Sequence, residues 1–177
     1  MRYLVTGAAL MVATGFAWSE TTPTQSKSLT IGGSNVLMQW SSDWSIDPSS
    51  SNSETVAFAA PDAHAMKTLI GKAPPGPPVT NDAQLQELVT YMSGLIAPQT
   101  VEKTLQIQSL AGAVAKGRYF CATDPKPKAD EYKYLCQGAI LVDDRVFTFT
   151  VLYNEPGKAD SKKVLGALGT MQVARTA

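Results

Sequence analysis

Apolar and polar residues alternate in three runs across residues 114–153, and the alternation predicts three consecutive antiparallel strands. Asp143 and Asp144 separate the second run from the third, where a two-residue hairpin loop is expected. Such a loop sets Val142 opposite Arg145, Ile140 opposite Phe147, Gly138 opposite Phe149 and Cys136 opposite Val151. Strand side chains point alternately to the two faces, so Tyr134, Cys136, Gly138, Ile140 and Val142 share one face with Phe147, Phe149, Val151 and Tyr153. That face is almost wholly apolar and should wall the core. Placing Cys121 opposite Cys136 extends the wall to the first strand, with Tyr119 against Gly138, Gly117 against Ile140 and Ala115 against Val142. Small opposes large in each pair, as close packing asks. The other face mixes Lys116, Arg118, Gln137, Thr148 and Thr150 with Leu141 and Val146, and is expected to be only partly covered.

The pattern before and after this meander is less regular. Residues 29–31 and 36–40 read as two short strands around Gly32-Gly33-Ser34-Asn35. Residues 20–28, polar and carrying Pro23, read as a flexible lead-in. An irregular corner around Trp44 follows, then a surface loop over 48–53 rich in Ser and Asn. Runs 54–60 and 63–70 pair around Pro61-Asp62. Across 71–79, Pro74, Pro75, Pro77 and Pro78 exclude a sheet interior and favour extended polyproline geometry. A helix comes next: Leu85, Leu88, Val89, Met92, Leu95 and Ile96 recur on one stripe, Asn81 and Gln84 match a capping box, and Pro98 ends the run. Residues 100–110 alternate through Leu105 and Ile107 as a further strand. Asp160 is expected to cap a closing helix that turns Val164, Leu165, Leu168 and Met171 inward. Runs of strands with helices kept apart indicate the α+β class. The expected architecture is an antiparallel sheet, built from N-terminal hairpins and a C-terminal meander, packed by two amphipathic helices in one domain over 29–177.

Residues 1–19 hold one base, Arg2, no acid, an apolar run and a small-residue ending at Ala17-Trp18-Ser19, the pattern of a secretory signal peptide. The run is too short for a stable membrane span. A periplasmic chain is therefore expected. In that oxidising setting Cys121 and Cys136 should pair, and the closed loop would contribute about 3 kcal/mol in the chain-entropy picture. The whole chain carries 15 basic and 15 acidic residues, a balance that argues against nucleic acid as a partner. Lys126, Lys128 and Lys133 lie among Asp124, Asp130 and Glu131, which reads as a solvated loop.

Reactive chemistry is sparse. His64, the single histidine, follows a turn, and no Gly-x-Ser-x-Gly elbow supplies a nucleophile for it. Asp143 and Asp144 lack the ring of oxygen ligands that calcium needs. Zinc is unsupported once both cysteines are paired. Glu102 and Asp124 form no recognisable acid–base pair, and Trp40 and Trp44 read as packing residues. No catalytic residue, metal or cofactor is expected.

The stretch Val36-Leu37-Met38-Gln39-Trp40-Ser41-Ser42-Asp43-Trp44-Ser45-Ile46 resembles the strand, corner and tryptophan of the PsbP/DcrB-like family of small exported α+β proteins. Val56-Ala57-Phe58-Ala59-Ala60-Pro61, the helix, the meander and the closing helix continue the resemblance over most of the chain. Near the tryptophan, Ser41 or Ser42 stands where the family usually has proline. The resemblance implies the fold; members serve as assembly factors, accessory subunits and binding proteins without a shared active site.

The expected function is a non-enzymatic, periplasmic protein-binding module, in first place an inhibitor or immunity-type protein that neutralises a secreted toxin or enzyme. The alternatives are an accessory or assembly factor of an envelope complex, and a small-ligand carrier. The expected contact residues are Lys72, Pro74, Pro75, Pro77 and Pro78, whose stiffness lowers the ordering entropy of docking, with Tyr132 as a second choice.

Overall fold

The computed structural model describes residues 24–110, 112 and 115–174. The signal-peptide reading of 1–19 lies outside the described residues. The meander is present with the register deduced above. Strands β7 (Lys116–Thr123), β8 (Tyr134–Val142) and β9 (Arg145–Tyr153), numbered in chain order with those below, pair antiparallel, with Cys121 opposite Cys136 and Gly138 opposite Phe149. Asp143 takes a positive φ of 54° to close the β8–β9 turn, a conformation that Asp tolerates better than most residues.

This meander is the centre of a seven-stranded antiparallel sheet. With β3 (Ser45–Ile46), β4 (Thr55–Ala59), β5 (Met66–Lys72) and β6 (Gln108–Leu110), its order is β3-β4-β5-β9-β8-β7-β6. The N-terminal hairpin does not join it. Strands β1 (Thr24–Ile31) and β2 (Ser34–Ser41) form a separate three-stranded sheet with β10 (Gln172–Val173). Ile31, Val36, Met38 and Trp40 from this sheet bury themselves against Phe58, Ile70, Phe147, Phe149 and Val151 of the large one. Helix α2 (Lys158–Leu168) closes the same layer with Val164 and Leu168.

The opposite face is more covered than its mixed composition suggests. Helix α1 (Asp82–Ile96) lays Leu85 and Val89, both 0% exposed, onto Phe120, Ala122, Ala139 and Leu141. Arg118, on that face, anchors the start of α1: its Nε donates to Asp82 Oδ1 at 3.0 Å and its second guanidinium arm reaches Oδ2. Asn81 caps the helix by accepting from Gln84 N at 3.0 Å, and the Gln84 side chain accepts from Thr80 N at 2.8 Å.

Four local expectations need correction. The first strand starts at Thr24, inside the stretch read as a flexible lead-in, because Thr24 to Ser28 pair with β2 through their backbone and need no apolar face. Its hairpin loop is Gly32-Gly33 alone, both at positive φ (56° and 74°), and Ser34 and Asn35 belong to β2. Residues 100–110 form a strand only at Gln108–Leu110; Lys103 sits at φ 57°, and the Glu102 carboxylate accepts from Thr123 N at 3.0 Å and Thr123 Oγ1 at 2.6 Å. Asp160 is not the cap of α2, which begins at Lys158 after a 3-10 turn, and instead pairs with Lys163 at 2.7 Å.

Candidate functional site: a proline-walled groove

At Lys72 the large sheet reaches one end of β5. Ala73 N donates to Val146 O at 3.0 Å, adding a last rung. Pro74 has no N–H, so the ladder cannot continue. The chain bends at Pro75 and again at Pro77 rather than running as a straight polyproline helix, then meets the α1 cap at Thr80 and Asn81. The segment is held at both ends, while residues 74–78 between them are all exposed.

The bent segment walls one side of a groove of about 740 Å³. The Gly32-Gly33 turn, the tip of the β8–β9 hairpin at Asp144 and Arg145, and Leu88 and Tyr91 of α1 supply the rest. Lys72 approaches the first turn so closely that a Cβ on Gly32 would stand 2.6 Å from Lys72 Cβ. With Gly32 also at φ 56°, any side chain there is excluded twice over.

The two cations of the groove lie on one side of it. Lys72 stands opposite Phe147, and Arg145 is two residues from Phe147 on the same strand, so both cations project from the face shared with Phe147. Asp144 Oδ1 is 3.8 Å from Arg145 Nε, and the Asp144 side chain is 91% exposed, a loosely held and solvent-screened pair. Among the described residues Lys72 makes no ion pair. On the other face Val146, Leu88 and Tyr91 give an apolar lining. Tyr91 is 66% exposed and Leu95, one helical turn on, is 56% exposed, so apolar surface continues along α1 beyond the groove.

The structure thus brings Lys72, Pro74, Pro75, Pro77 and Pro78 together in one concavity. Tyr132, the second choice, is not with them. It is half-buried, with its hydroxyl donating to Ala63 O at 2.6 Å, and burial pushes its pKa up. Ala63 lies just before Met66, the opposite end of β5 from Lys72, roughly 20 Å away by strand rise. In the sequence Gly32, Leu88 and Arg145 are hairpin, helix-stripe and register positions rather than expected contact residues, and Tyr91 is not singled out. Tyr91 sits beside the apolar stripe of α1 and Arg145 beside the turn, but only the tertiary fold brings them to the proline segment.

Other candidates have structural roles. His64 is exposed on a loop, its N–H donating to Asp62 Oδ1 at 3.0 Å and its carbonyl accepting from Asn154 Nδ2 at 3.1 Å. Asp124 Oδ1 accepts from Lys126 N at 2.7 Å, shaping the loop after β7. Trp40 is buried with its ring edge-on to Phe58 at 4.0 Å between centroids, and Trp44 is buried in the same core. Cys121 and Cys136 form a disulfide. Among the described residues no group of three or more His, Cys, Asp or Glu is placed to hold a metal ion, and no helix is long and apolar enough to cross a membrane.

No family model and no curated protein sequence matches this chain. The solution structure of cyanobacterial PsbP (CyanoP) from Synechocystis sp. PCC 6803 is similar in fold, with a TM-score of 0.54 at 10% sequence identity, over 94% of this chain and 98% of that one. The fold is PsbP-like, and the disulfide is compatible with an exported protein.

Proposed function

We propose that this protein is an exported, non-enzymatic binding module that holds a segment of a partner protein in the proline-walled groove. One observation carries the reading: residues from four separate parts of the chain, two hairpin turns, the proline segment and α1, converge on a single concavity and leave its apolar lining uncovered. The volume alone would also suit a small ligand, since such pockets span roughly 300–1,000 Å³. A carrier, however, buries most of its ligand, whereas Lys72, residues 74–78, Asp144 and Tyr91 are all exposed. A shallow groove whose apolar surface runs on to Leu95 suits a polypeptide better.

The periplasm remains the proposed compartment, on the strength of the N-terminal pattern and the disulfide. For the partner, an accessory or assembly role at an envelope complex comes first, and it rests on the family resemblance read from the sequence, since members of that family include such factors. Neutralisation of a secreted toxin or enzyme draws on no particular residue and stands second.

A photo-cross-linking residue placed at Tyr91, and separately at Tyr132 as the opposite-end control, tests the site in cells. Adducts should form from position 91 and not from 132. Adducts from 132 alone would move the binding surface to the other end of the sheet. Mass spectrometry of the adduct distinguishes an envelope subunit from a toxin, and a small molecule retained in native mass spectra would favour the carrier.

A further inference from the structure

The groove is chemically divided, and the division says what kind of segment fits it. Its charged side chains are Lys72, Asp144 and Arg145. The two cations come from adjacent strands, Lys72 opposite Phe147 and Arg145 two residues along, and such diagonal neighbours have Cα atoms roughly 7–8 Å apart. That spacing lets two long side chains reach one carboxylate placed between them. The acid that lines the groove, Asp144, is exposed and 3.8 Å from Arg145, so the lining keeps a net positive charge. Glu54, just before β4, accepts from Lys72 N through its carbonyl at 3.0 Å, but its side chain makes no ion pair with Lys72 among the described residues. The other half, Leu88, Tyr91 and Val146, is apolar and solvent-facing at Tyr91.

We infer that the groove selects an acidic, extended polypeptide segment, with an Asp or Glu side chain seated between Lys72 and Arg145 and a large apolar side chain against Tyr91 and Leu88. This rests on the binding-module reading and adds its specificity. The charge complementarity sets orientation and partner choice more than raw affinity, as it does at interfaces generally. A chain-terminal carboxylate is the poorer fit. Termini are captured by converging backbone N–H groups, and here the Gly32 N–H is already committed to Ser53 O at 2.8 Å.

The test uses the mature protein with a displayed library of random dodecapeptides held between fixed flanks, so that no free terminus is offered. Enriched peptides should carry Asp or Glu within a few residues of an aromatic or branched apolar residue. In synthetic amidated copies, Glu→Gln should weaken binding about tenfold at low salt, with the gap closing as salt rises. The variant Lys72→Gln/Arg145→Gln should bind both copies equally without a change in Tm. Neutral peptides whose binding is lost in Tyr91→Ala would overturn the acidic inference while leaving the groove as the binding site. Peptides indifferent to all three substitutions, or no enrichment at all, would overturn both. Displacement of the peptides by dodecanoate below its micelle concentration, at comparable affinity, would make the occupant an amphiphile and overturn the polypeptide.

Discussion

Truncating Phe149 to alanine probes the core wall at its most demanding point. The ring is 1% exposed and lies between Ile70 on β5 and Gly138 on β8. Gly138 cannot take up the slack, because a Cβ there would fall 2.2 Å from Arg118 O and 2.7 Å from Tyr119 Cβ. A buried phenylalanine removes roughly 150–250 Å² from water, about 4–6 kcal/mol as an upper bound at ~25 cal/mol per Å². Alanine recovers part of that, and the unfilled cavity adds a penalty, so the expected loss is about 4 kcal/mol, inside the usual range for Phe→Ala in cores. In a domain of this size each kcal/mol lowers Tm by about 2–4 °C, which gives a fall of about 8–16 °C. Urea unfolding followed by tryptophan fluorescence reads the effect directly, since Trp40 and Trp44 are buried in the same core. The midpoint should drop with the m-value unchanged. A loss below about 1 kcal/mol, the level of an ordinary surface substitution, would show that Phe149 does not fill this wall and would refute the register.

The Cys121–Cys136 bridge closes a sequence separation of 15 residues. Its replacement by Cys121→Ser/Cys136→Ser should cost about 3 kcal/mol. Intact mass of the exported protein should show the loss of residues 1–19 and of two hydrogens, and two titratable thiols in native material would contradict the pairing. Asn81→Ala removes the α1 cap and should cost about 1 kcal/mol in urea unfolding; no change would mean the cap is redundant with Gln84. The Arg118 hydrogen bond holds the Asp82 carboxyl below its ordinary 3.8. A depressed carboxylate stabilises the fold above its unfolded pKa, and that contribution is lost as pH falls through the folded value. Asp82→Asn should therefore flatten the decline in stability below about pH 4, and an unaltered decline would assign the acid sensitivity to other carboxylates.

The parts of this fold that could be read from the chain are those where local signals agree. Asp143-Asp144 between two alternating runs, with two cysteines placed to face each other, leaves one register that pairs small residues with large ones, and that register is observed. What could not be read depends on distant partners. Thr24 to Ser28 look like a tail until β2 pairs with them. The N-terminal hairpin forms its own sheet, and the third strand of that sheet comes from Gln172 and Val173, which return from the far end of the chain to Leu37 and Val36. The alternation over 100–110 is real, but Glu102 binding Thr123 and the left-handed turn at Lys103 divert the backbone before it can pair. Leu95 shares the spacing of the α1 stripe and yet is 56% exposed, because it lies on the stripe's flank beside the exposed Tyr91 rather than at its buried centre of Leu85 and Val89. The site divides in the same way. The prolines announce a stiff segment in sequence, while Arg145, Tyr91 and Gly32 gain their role only from where the turns and α1 are carried by the sheet.

The claim that the proline segment is the binding wall is tested most directly by softening it alone. Pro74, Pro75, Pro77 and Pro78 are exposed and pack no core, so changing all four to Gly or Ser should lower Tm by no more than a few degrees. Each proline restricts the backbone by about 0.4–1 kcal/mol, so a partner docking on the softened segment must order it at a cost of roughly 2–4 kcal/mol in all. Affinity for the partner identified by cross-linking at position 91, measured by calorimetry, should fall at least about tenfold. An unchanged Kd for a folded variant would contradict the account and place the binding surface elsewhere on the protein.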